Sequence, residues 1–403
     1  MYTWQISTAF GLESLVRAEL EGPGLALPVQ SIVNGAVRVR GDARALAKMQ
    51  LWLRSAERIS LVLSAFRAAD FDDLFDGMSG VAWEDILPWD ASIRVVCTLA
   101  GNAGITSARS AQSIAKKAII ERLRACSGHT FFPESGESYS ITIDIAADSA
   151  TILLDSCGEG LHRRGYRLAS GPAPLRETTA AAMVRLANWK SEKEILWDPF
   201  CGSGTIAIEA AMLQADIAPG LMRYFSSEYW PFLDAAVFEN ERAEARERAE
   251  AGAAKPAAHI RASDISPEAL SLADGNIRRA GVSGRIRLFK ADARELAAAG
   301  GETLFLSNPP YGERLGGGER FTDGSLRASP RPEEAEEAGE LLAGFFSSLS
   351  GLDTRDAWRC AVLSPERDLA GLGITQRYGK NRKLYNGKLR VWMYFFESPS
   401  GPA

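Results

Sequence analysis

The segment 306–312 (LSNPPYG) combines hydrogen-bond acceptors, a fixed backbone and an aromatic ring directly after an apolar stretch. Asn308 offers a side-chain carbonyl, and the prolines Pro309 and Pro310 keep the neighbouring main-chain carbonyls out of any helix. A planar base with an exocyclic amine needs two such acceptors and a ring to stack on, here Tyr311. These four residues are the candidate catalytic residues, although Asn-Pro alone is also a common turn opener.

A glycine-rich segment, 194–205 (EILWDPFCGSGT), lies farther upstream. It predicts a buried strand that ends in Asp198, a tight turn, and a helix from about Thr205 to Gln214. The loop has neither the third glycine of a dinucleotide site nor the lysine of a P-loop, and its acid would repel a phosphate. It suits a zwitterionic ligand such as S-adenosylmethionine, because the glycines allow close approach to the backbone at a helix N-terminus. The candidate binding residues are Asp198, Phe200, Gly202, Ser203, Gly204 and Thr205.

Two further acidic residues follow predicted strands. Asp264 ends one strand, and Ser266 and Pro267 then open a helix; Asp292 ends the next strand. The first acid lies where ribose hydroxyls are held in such sheets, and the second suits an adenine amino group. Either acid alone is as well explained as a helix cap. Together the strand ends predict a ligand crevice at one sheet edge, which adds Asp264, Ile265, Asp292, Ala293 and Asn308 to the cofactor-binding candidates.

In this order the motifs resemble those of class I S-adenosylmethionine-dependent methyltransferases that methylate an exocyclic amine. Four longer strings narrow the resemblance to the THUMP-containing 23S rRNA guanine-N2 methyltransferases of bacteria: 161–167 (LHRRGYR), 173–177 (APLRE), 217–220 (IAPG) and 308–316 (NPPYGERLG). The resemblance covers nearly the whole chain and departs from the family at the acidic segment 330–340. It implies S-adenosylmethionine as cofactor and methylation of a guanosine N2 amine in 23S rRNA.

The resemblance also implies the fold and the domain order. The fold class is α/β, with a Rossmann-like seven-stranded methyltransferase sheet and an N-terminal α+β ferredoxin-like and THUMP module that binds RNA. The predicted domains are an N-terminal ferredoxin-like domain at 1–60, a THUMP domain at 61–157 and the catalytic domain at 158–403. Within the last, the charged run 240–250 predicts a solvent-facing helix with i,i+4 ion pairs. Asn386-Gly387 predicts a closing β-hairpin.

Several alternatives share parts of this pattern. The Asn-Pro-Pro-Tyr motif also serves DNA adenine-N6 and protein glutamine-N5 methyltransferases. The THUMP resemblance favours RNA, which leaves a tRNA guanine-N2 methyltransferase as the nearest competitor. A non-catalytic RNA-binding factor would not need the glycine loop, the three acids and Asn308.

Composition bounds the class of protein. A chain of 403 residues with 46% hydrophobic residues suggests two or three domains with substantial cores. No signal peptide or membrane-spanning run is found, which predicts a cytoplasmic protein, and we expect a monomer. Five cysteines without a Cys-x-x-Cys pair and three dispersed histidines predict reduced thiols and no metal site.

The net charge of −5 is unusual for a protein that binds RNA, so the distribution of charge matters more than the total. Basic residues concentrate around 162–176 and in 371–396, the second of which contains no acid before Glu397. A solvated hairpin surface would also explain the second cluster. The RNA-binding candidates are Arg163, Arg164, Arg167, Lys380, Arg382 and Lys383.

Overall fold

A computed structural model describes most of the chain, in the ranges 1–33, 35–101, 104–129, 131–167, 175–257, 259–310, 332–352, 357–365, 369, 374, 378–387 and 389–398. Its contacts divide into two compact units. The first unit contains Met1–Thr8, Arg17–Leu161 and Arg223–Ala243. The second contains Ala9–Val16, His162–Met222 and the chain from Glu244 onward.

The first unit is built on a seven-stranded sheet in the order β2-β3-β1-β4-β7-β6-β5. Its strands are β1 (Tyr2–Thr8), β2 (Val29–Val33), β3 (Ala36–Gly41), β4 (Ala56–Arg67), β5 (Ser92–Ala100), β6 (Ser138–Ala146) and β7 (Ser149–Asp155). Strand β4 pairs with β1 through its first half and with β7 through its second. The sheet is therefore continuous across the predicted boundary at residue 60.

Four helices occur in this part of the chain: α1 (Glu13–Glu21), α2 (Ala43–Trp52), α3 (Phe71–Ser79) and α4 (Ala108–Ser127). Helix α4 begins where the Ser107 side chain accepts a hydrogen bond from the Ser110 N–H group, and it ends at Gly128 in the left-handed region. Its buried residues recur at helical spacing and are Ala111, Ala115, Ala118, Ile119 and Leu123. Outside this narrow apolar stripe the residues of α4 are partly or fully exposed to solvent.

The second unit contains another seven-stranded sheet, in the order β10-β9-β8-β11-β12-β14-β13. Its strands are β8 (Ile195–Asp198), β9 (Ile260–Asp264), β10 (Ile286–Lys290), β11 (Thr303–Ser307), β12 (Trp358–Ser364), β13 (Lys380–Asn386) and β14 (Leu389–Glu397). The first five strands in this order pair in parallel, and β14 is antiparallel to both neighbours. The strand order reverses between β8 and β11, which is where open α/β sheets bind ligands. The predicted fold class is confirmed.

The remaining helices are α5 (Glu177–Leu186), α6 (Thr205–Gln214), α7 (Ala235–Ala253), α8 (Pro267–Arg279) and α9 (Pro332–Ser350). Both faces of the second sheet are covered, because neighbouring strand residues belong to different apolar clusters. Leu196 and Leu306 pack in the cluster that includes α5, α6 and α8, whereas Trp197 and Phe305 pack in the cluster that includes α9. Burial on both faces fixes the strand register and hence the positions of the residues at the strand ends.

Helix α7 faces solvent on one side, as its charges predict, but its other side is buried. Glu241 and Arg242 are 4% and 3% exposed, and Ala245 is fully buried. The Arg242 guanidinium lies 2.7 Å from Glu228, so the buried charge is neutralised by a partner that is distant in sequence. Among the helices that the structure describes, none is long and apolar enough to cross a membrane.

Candidate active site

Asp198, the last residue of β8, is 1% exposed. Its Oδ1 atom accepts a hydrogen bond from the Ser307 hydroxyl at 2.5 Å and another from the Phe200 N–H group at 3.2 Å. Burial raises the pKa of the Asp198 carboxyl to about 7, and the nearby Asp264 carboxylate acts in the same direction, while the two hydrogen bonds oppose the shift. A ligand cation placed here would stabilise the ionised carboxylate.

The glycine turn after β8 leaves its backbone accessible at one point. Gly202 has a φ of +50°, and a Cβ atom added there would meet nothing within 4 Å. Gly204 has a φ of +79°, and a Cβ atom there would lie 3.2 Å from the Cβ of Ala273. Gly202 therefore borders open space in which a ligand can approach the backbone, whereas Gly204 allows α6 to pack closely against α8.

Asp264, the last residue of β9, holds the glycine turn in place. Its Oδ2 accepts a hydrogen bond from the Gly202 N–H group at 2.9 Å, and its Oδ1 accepts one from the Ser266 N–H group at 3.0 Å. Each carboxylate oxygen retains a second acceptor site. The next side chain, Ile265, is 55% exposed at the same edge of the sheet.

Asp292 caps a short 3₁₀ turn, as the simpler interpretation of its sequence position predicts. It accepts a hydrogen bond from the Arg294 N–H group at 2.9 Å and pairs with the guanidinium of Arg294 at 2.6 Å. The hydrogen bonds from Arg294 lower the pKa of the Asp292 carboxyl. Any bond from Asp292 to a ligand would share a carboxylate that Arg294 already holds; Ala293 beside it is buried.

Asn308, Pro309 and Pro310 follow directly after β11, with Asn308 partly buried, Pro309 buried and Pro310 exposed. Tyr311 lies outside the described residues. The structure brings the segment that contains Asn308 next to the cofactor-binding candidates through the Ser307–Asp198 hydrogen bond.

The sequence interpretation gave no role to Ser307, which is fully buried. A signal was available, because strand alternation turns Ser307 to the face opposite Leu306 at the very end of β11. A hydroxyl at that point must find a hydrogen-bond partner when it is buried.

Asn276 of α8 is a second residue that supports the candidate site and that the sequence interpretation missed. It is fully buried, and its side-chain N–H group donates to the Ser203 main-chain oxygen at 2.9 Å. Arg279 donates to the Asn276 side-chain oxygen at 2.6 Å and to the Tyr166 main-chain oxygen at 2.7 Å. Helix α8 thereby holds the glycine turn through a buried hydrogen bond to Ser203.

Two predicted RNA-binding residues point inward, and that prediction is corrected. The Arg164 side chain is 2% exposed, with its Nε 3.5 Å from the carboxylate of Glu209 on α6. Arg167 donates to the Thr205 hydroxyl and lies 3.6 Å from the Glu177 carboxylate. A buried guanidinium that is paired in this way does not face phosphate groups. Arg167 contacts the first residues of α5 and α6, and Arg164 pairs with the middle of α6.

The other basic candidates lie nearer to solvent. Arg163, Lys380 and Lys383 are exposed, and the two lysine ammonium groups lie over aromatic rings. Arg382 is partly buried and donates to the main-chain oxygen of Gly11 at 2.5 Å. Because β13 is an edge strand, its lysines also protect the edge from pairing with another strand.

Comparison of the chain with known families gives three matches. Residues 4–60 match the RlmL ferredoxin-like domain, 68–155 match the THUMP domain, and 164–323 match the RMKL-like methyltransferase domain. All strands that carry candidate cofactor-binding residues lie inside the third match.

Similar proteins cover the whole chain. The protein named Putative RNA methyltransferase YpsC from Bacillus subtilis (strain 168) is 33% identical over 407 residues, which is 100% of this chain and 97% of that protein. The Ribosomal RNA large subunit methyltransferase K/L of Methylococcus capsulatus is 36% identical over 96% of this chain and 50% of its own length. The chain thus spans about half the length of the K/L relatives.

Solved structures resemble the chain over its full length. The structure of a possible methylase from Clostridium difficile 630 has a TM-score of 0.87 and 31% identity, covering 100% of this chain and 99% of that one. The structure of SMU.472 in complex with SAH has a TM-score of 0.84 and 31% identity, with the same coverage.

Proposed function

Because the chain belongs to the THUMP-containing, RlmL-like family of class I methyltransferases, we propose that it methylates the exocyclic N2 amine of a guanosine in 23S rRNA. The more general activity, without a named target nucleotide, is that of an S-adenosylmethionine-dependent RNA methyltransferase. The main observation in favour of the proposal is the hydrogen bond between Ser307 and Asp198. Ser307 directly precedes Asn308, so this bond brings the candidate catalytic segment next to a candidate cofactor-binding acid. The K/L relatives, which are named for large-subunit rRNA, support the choice of RNA.

The residues of the crevice fit S-adenosylmethionine. Asp198 is a buried carboxyl for which the described residues supply no cation, and the ammonium of the methionine portion would supply one. In the proposal the methionine portion lies on Asp198, Phe200 and the turn 202–205. Asp264 and Ile265 take the ribose side, and Asp292 with Ala293 takes the adenine. When bound, this cofactor supplies an electrophilic methyl group.

The target amine needs activation, because the lone pair of guanine N2 is delocalised into the ring. The side-chain carbonyl of Asn308 and the main-chain carbonyl of Pro309 would accept its two N–H groups and favour a pyramidal nitrogen. Both acceptors then face the atom on which positive charge develops, and most of the rate increase comes from this positioning. Pro310 fixes the turn, and Tyr311 stacks on a base that has left its place in the RNA. The released proton passes to water.

The domain assignment is part of the same proposal. The ferredoxin-like domain (1–60) and the THUMP domain (61–157) would hold structured RNA, and the catalytic domain (158–403) would carry out the transfer. Arg163, Lys380, Lys383 and Arg382 remain the basic residues proposed to meet RNA from the catalytic domain.

The test is methyl transfer from labelled S-adenosylmethionine to rRNA and, separately, to tRNA, each purified from cells that lack this protein. Nucleoside mass analysis should find N2-methylguanosine in 23S rRNA. The same product in tRNA alone would keep the chemistry and refute the rRNA target. A methylated adenine or no product at all would refute guanine-N2 transfer.

A further inference from the structure

Helix α4 (Ala108–Ser127) presents a basic surface in a protein whose net charge is −5. The helix contains one acidic residue, Glu121, and five basic residues: Arg109, Lys116, Lys117, Arg122 and Arg124. Its apolar stripe faces the core, so the charged side chains lie on the solvent side. The sequence interpretation did not identify this concentration of positive charge.

A shallow groove runs along the exposed side of α4, lined by Ser113, Lys116, Lys117, Ile120, Glu121 and Arg124. Part of the positive charge is neutralised by ion pairs: Lys116 pairs with Glu134 at 2.8 Å, Lys117 with Glu121 at 3.7 Å and Arg122 with Glu84 at 2.5 Å. Within the described part of the chain, no ion pair is found for the guanidinium groups of Arg109 and Arg124. These two arginines lie in the first and last turns of α4, about 22 Å apart along the axis.

Aromatic rings lie beside the C-terminal end of α4. Gly128 turns the chain with a φ of +73°, and His129 then stacks on Trp89, with ring centroids 5.8 Å apart and an interplanar angle of 30°. Phe132 contacts His129 edge-on. Trp89 remains 56% exposed, and Phe131 is 72% exposed. One face of an indole that is held by ring stacking is thus open to solvent, an arrangement that single-stranded nucleic acid binders use to stack a base.

We propose that the basic–aromatic surface formed by α4, Trp89 and His129 binds a single-stranded segment of the RNA substrate. Phosphates lie along the groove between Arg109 and Arg124, and an unpaired base stacks on Trp89. A basic peptide would be repelled by the same cations, which favours RNA as the partner. The inference rests on the proposed RNA methyltransferase function and assigns it a contact surface away from the methyl-transfer residues.

The test measures affinity for RNA independently of catalysis, by fluorescence anisotropy with a labelled single-stranded RNA oligonucleotide and a matched duplex. We expect Trp89→Ala to weaken single-strand binding about tenfold and Trp89→Phe to restore most of it, because either ring stacks on a base. We expect Arg109→Gln and Arg124→Gln each to reduce the slope of log affinity against log salt by about 0.7, the value for one lost single-strand phosphate contact. Arg17→Gln, which changes an exposed arginine of α1, is the matched control and should change neither quantity.

The outcomes separate this inference from the proposed function. If the wild-type protein transfers methyl groups and all α4 and Trp89 variants bind RNA as tightly as wild type, the proposed RNA-binding surface is refuted and the proposed function is not. Equal loss for duplex and single strand, without rescue by Trp89→Phe, would overturn base stacking. Absence of methyl transfer to any RNA would defeat the proposed function, whereas weaker oligonucleotide binding by Trp89→Ala would still support the surface.

Discussion

The side chains of the candidate site form two groups. Those of the first group are positioned to contact ligands, and those of the second group hold the first group in place. Asp198, Asp264 and Asn308 lie at the carboxyl ends of β8, β9 and β11, at the edge where ligands bind. Ser307 and Asn276 contribute no ligand contact to the proposal, but their hydrogen bonds fix Asp198 and the glycine turn. The first group was predictable from sequence because each residue follows an apolar strand. For the second group the sequence marks at most a buried polar position, as at Ser307, and does not identify the partner, because the partners are distant in sequence.

Replacing Asn308 separates catalysis from cofactor binding. Asn308→Ala removes an acceptor for the target amine, so we expect methyl transfer to fall by about 100-fold or more. Affinity for S-adenosylmethionine, measured by calorimetry, should stay within a few-fold of wild type. Comparable loss of both would show that Asn308 mainly supports the cofactor pocket.

Asp198 should make cofactor binding depend on pH. Its carboxyl has a pKa of about 7 in the free protein because it is buried, so below pH 7 it is mostly protonated. A cationic group binds the ionised form, and the affinity for S-adenosylmethionine should therefore fall up to about tenfold per unit between pH 7 and pH 5.5. Calorimetric titration at a series of pH values measures this slope. Asp198→Asn, which cannot titrate, should bind weakly and without the slope; a slope that persists in this variant would show that Asp198 is not the group responsible.

The same group affects the stability of the free protein in the opposite direction. The folded pKa lies above the ordinary value of 3.8, so the folded state binds the proton more tightly than the unfolded state between these two values. The contribution of Asp198 to the free energy of unfolding therefore decreases as pH rises from about 4 to about 7. Thermal unfolding of Asp198→Asn and of wild type over this range should show a smaller decrease in the variant, in which the buried Asp155 carboxyl, whose pKa burial also raises, still contributes.

The helices and strands predicted best from the sequence are those whose ends are marked by local features such as glycine turns and N-cap residues. The helix predicted at Thr205 to Gln214 is found with the same bounds, and α8 begins with the predicted Ser266 cap. Arg164 and Arg167 show why other predictions were wrong. An arginine-rich string indicates an RNA-facing surface when only its neighbours are considered, but Glu209 and Glu177 become its partners once α5 and α6 pack. Composition alone does not reveal which charges are buried together.

Two helical glycines should respond in opposite ways to alanine. In α7, a Cβ atom at Gly252 would lie 1.7 Å from the main-chain oxygen of Ala215, so Gly252→Ala forces the backbone apart and should destabilise the fold by about 1–3 kcal/mol. In α8, the three atoms nearest to a Cβ atom at Gly275 all belong to the far end of the Arg279 side chain, the nearest at 3.4 Å. Gly275→Ala should therefore stabilise by about 0.5–1 kcal/mol through helix propensity. Chemical denaturation of both variants measures the difference, and a stabilising Gly252→Ala would contradict the packing of α7.

At the scale of the whole molecule, the first unit includes a segment that is separated in sequence from the rest of the unit. The segment Arg223–Ala243 supplies buried groups to it. The Gln50 amide donates to Ser156 and to Ser227 at 2.9 Å, and Arg242 pairs with Glu228. The sequence between residues 223 and 243 gave no sign of this membership, because its partners in the first unit are 63 positions away for Arg223 and Gly160 and 177 positions away for Ser227 and Gln50.

A fragment that ends at Leu161 should therefore be less stable than one that also contains Arg223–Ala243. Without the segment, Gln50 and Ser156 lose buried hydrogen-bond partners and the apolar side chains Phe225 and Trp230 are missing from the core. Limited proteolysis and thermal unfolding of the 1–161 fragment, with and without a linked 223–243 segment, measure the effect. Equal protection of the two would show that the segment is dispensable.

The split composition of the first unit has a consequence for protein synthesis. A chain emerges from the ribosome in order, and domains commonly fold as soon as their last residue is free. Here the first 161 residues would have to wait until Ala243 has emerged before their core could close, with α5, β8 and α6 already synthesised. The nascent protein would therefore expose unfinished apolar surface during that interval, and its yield in cells should depend on how quickly residues 162–243 are translated.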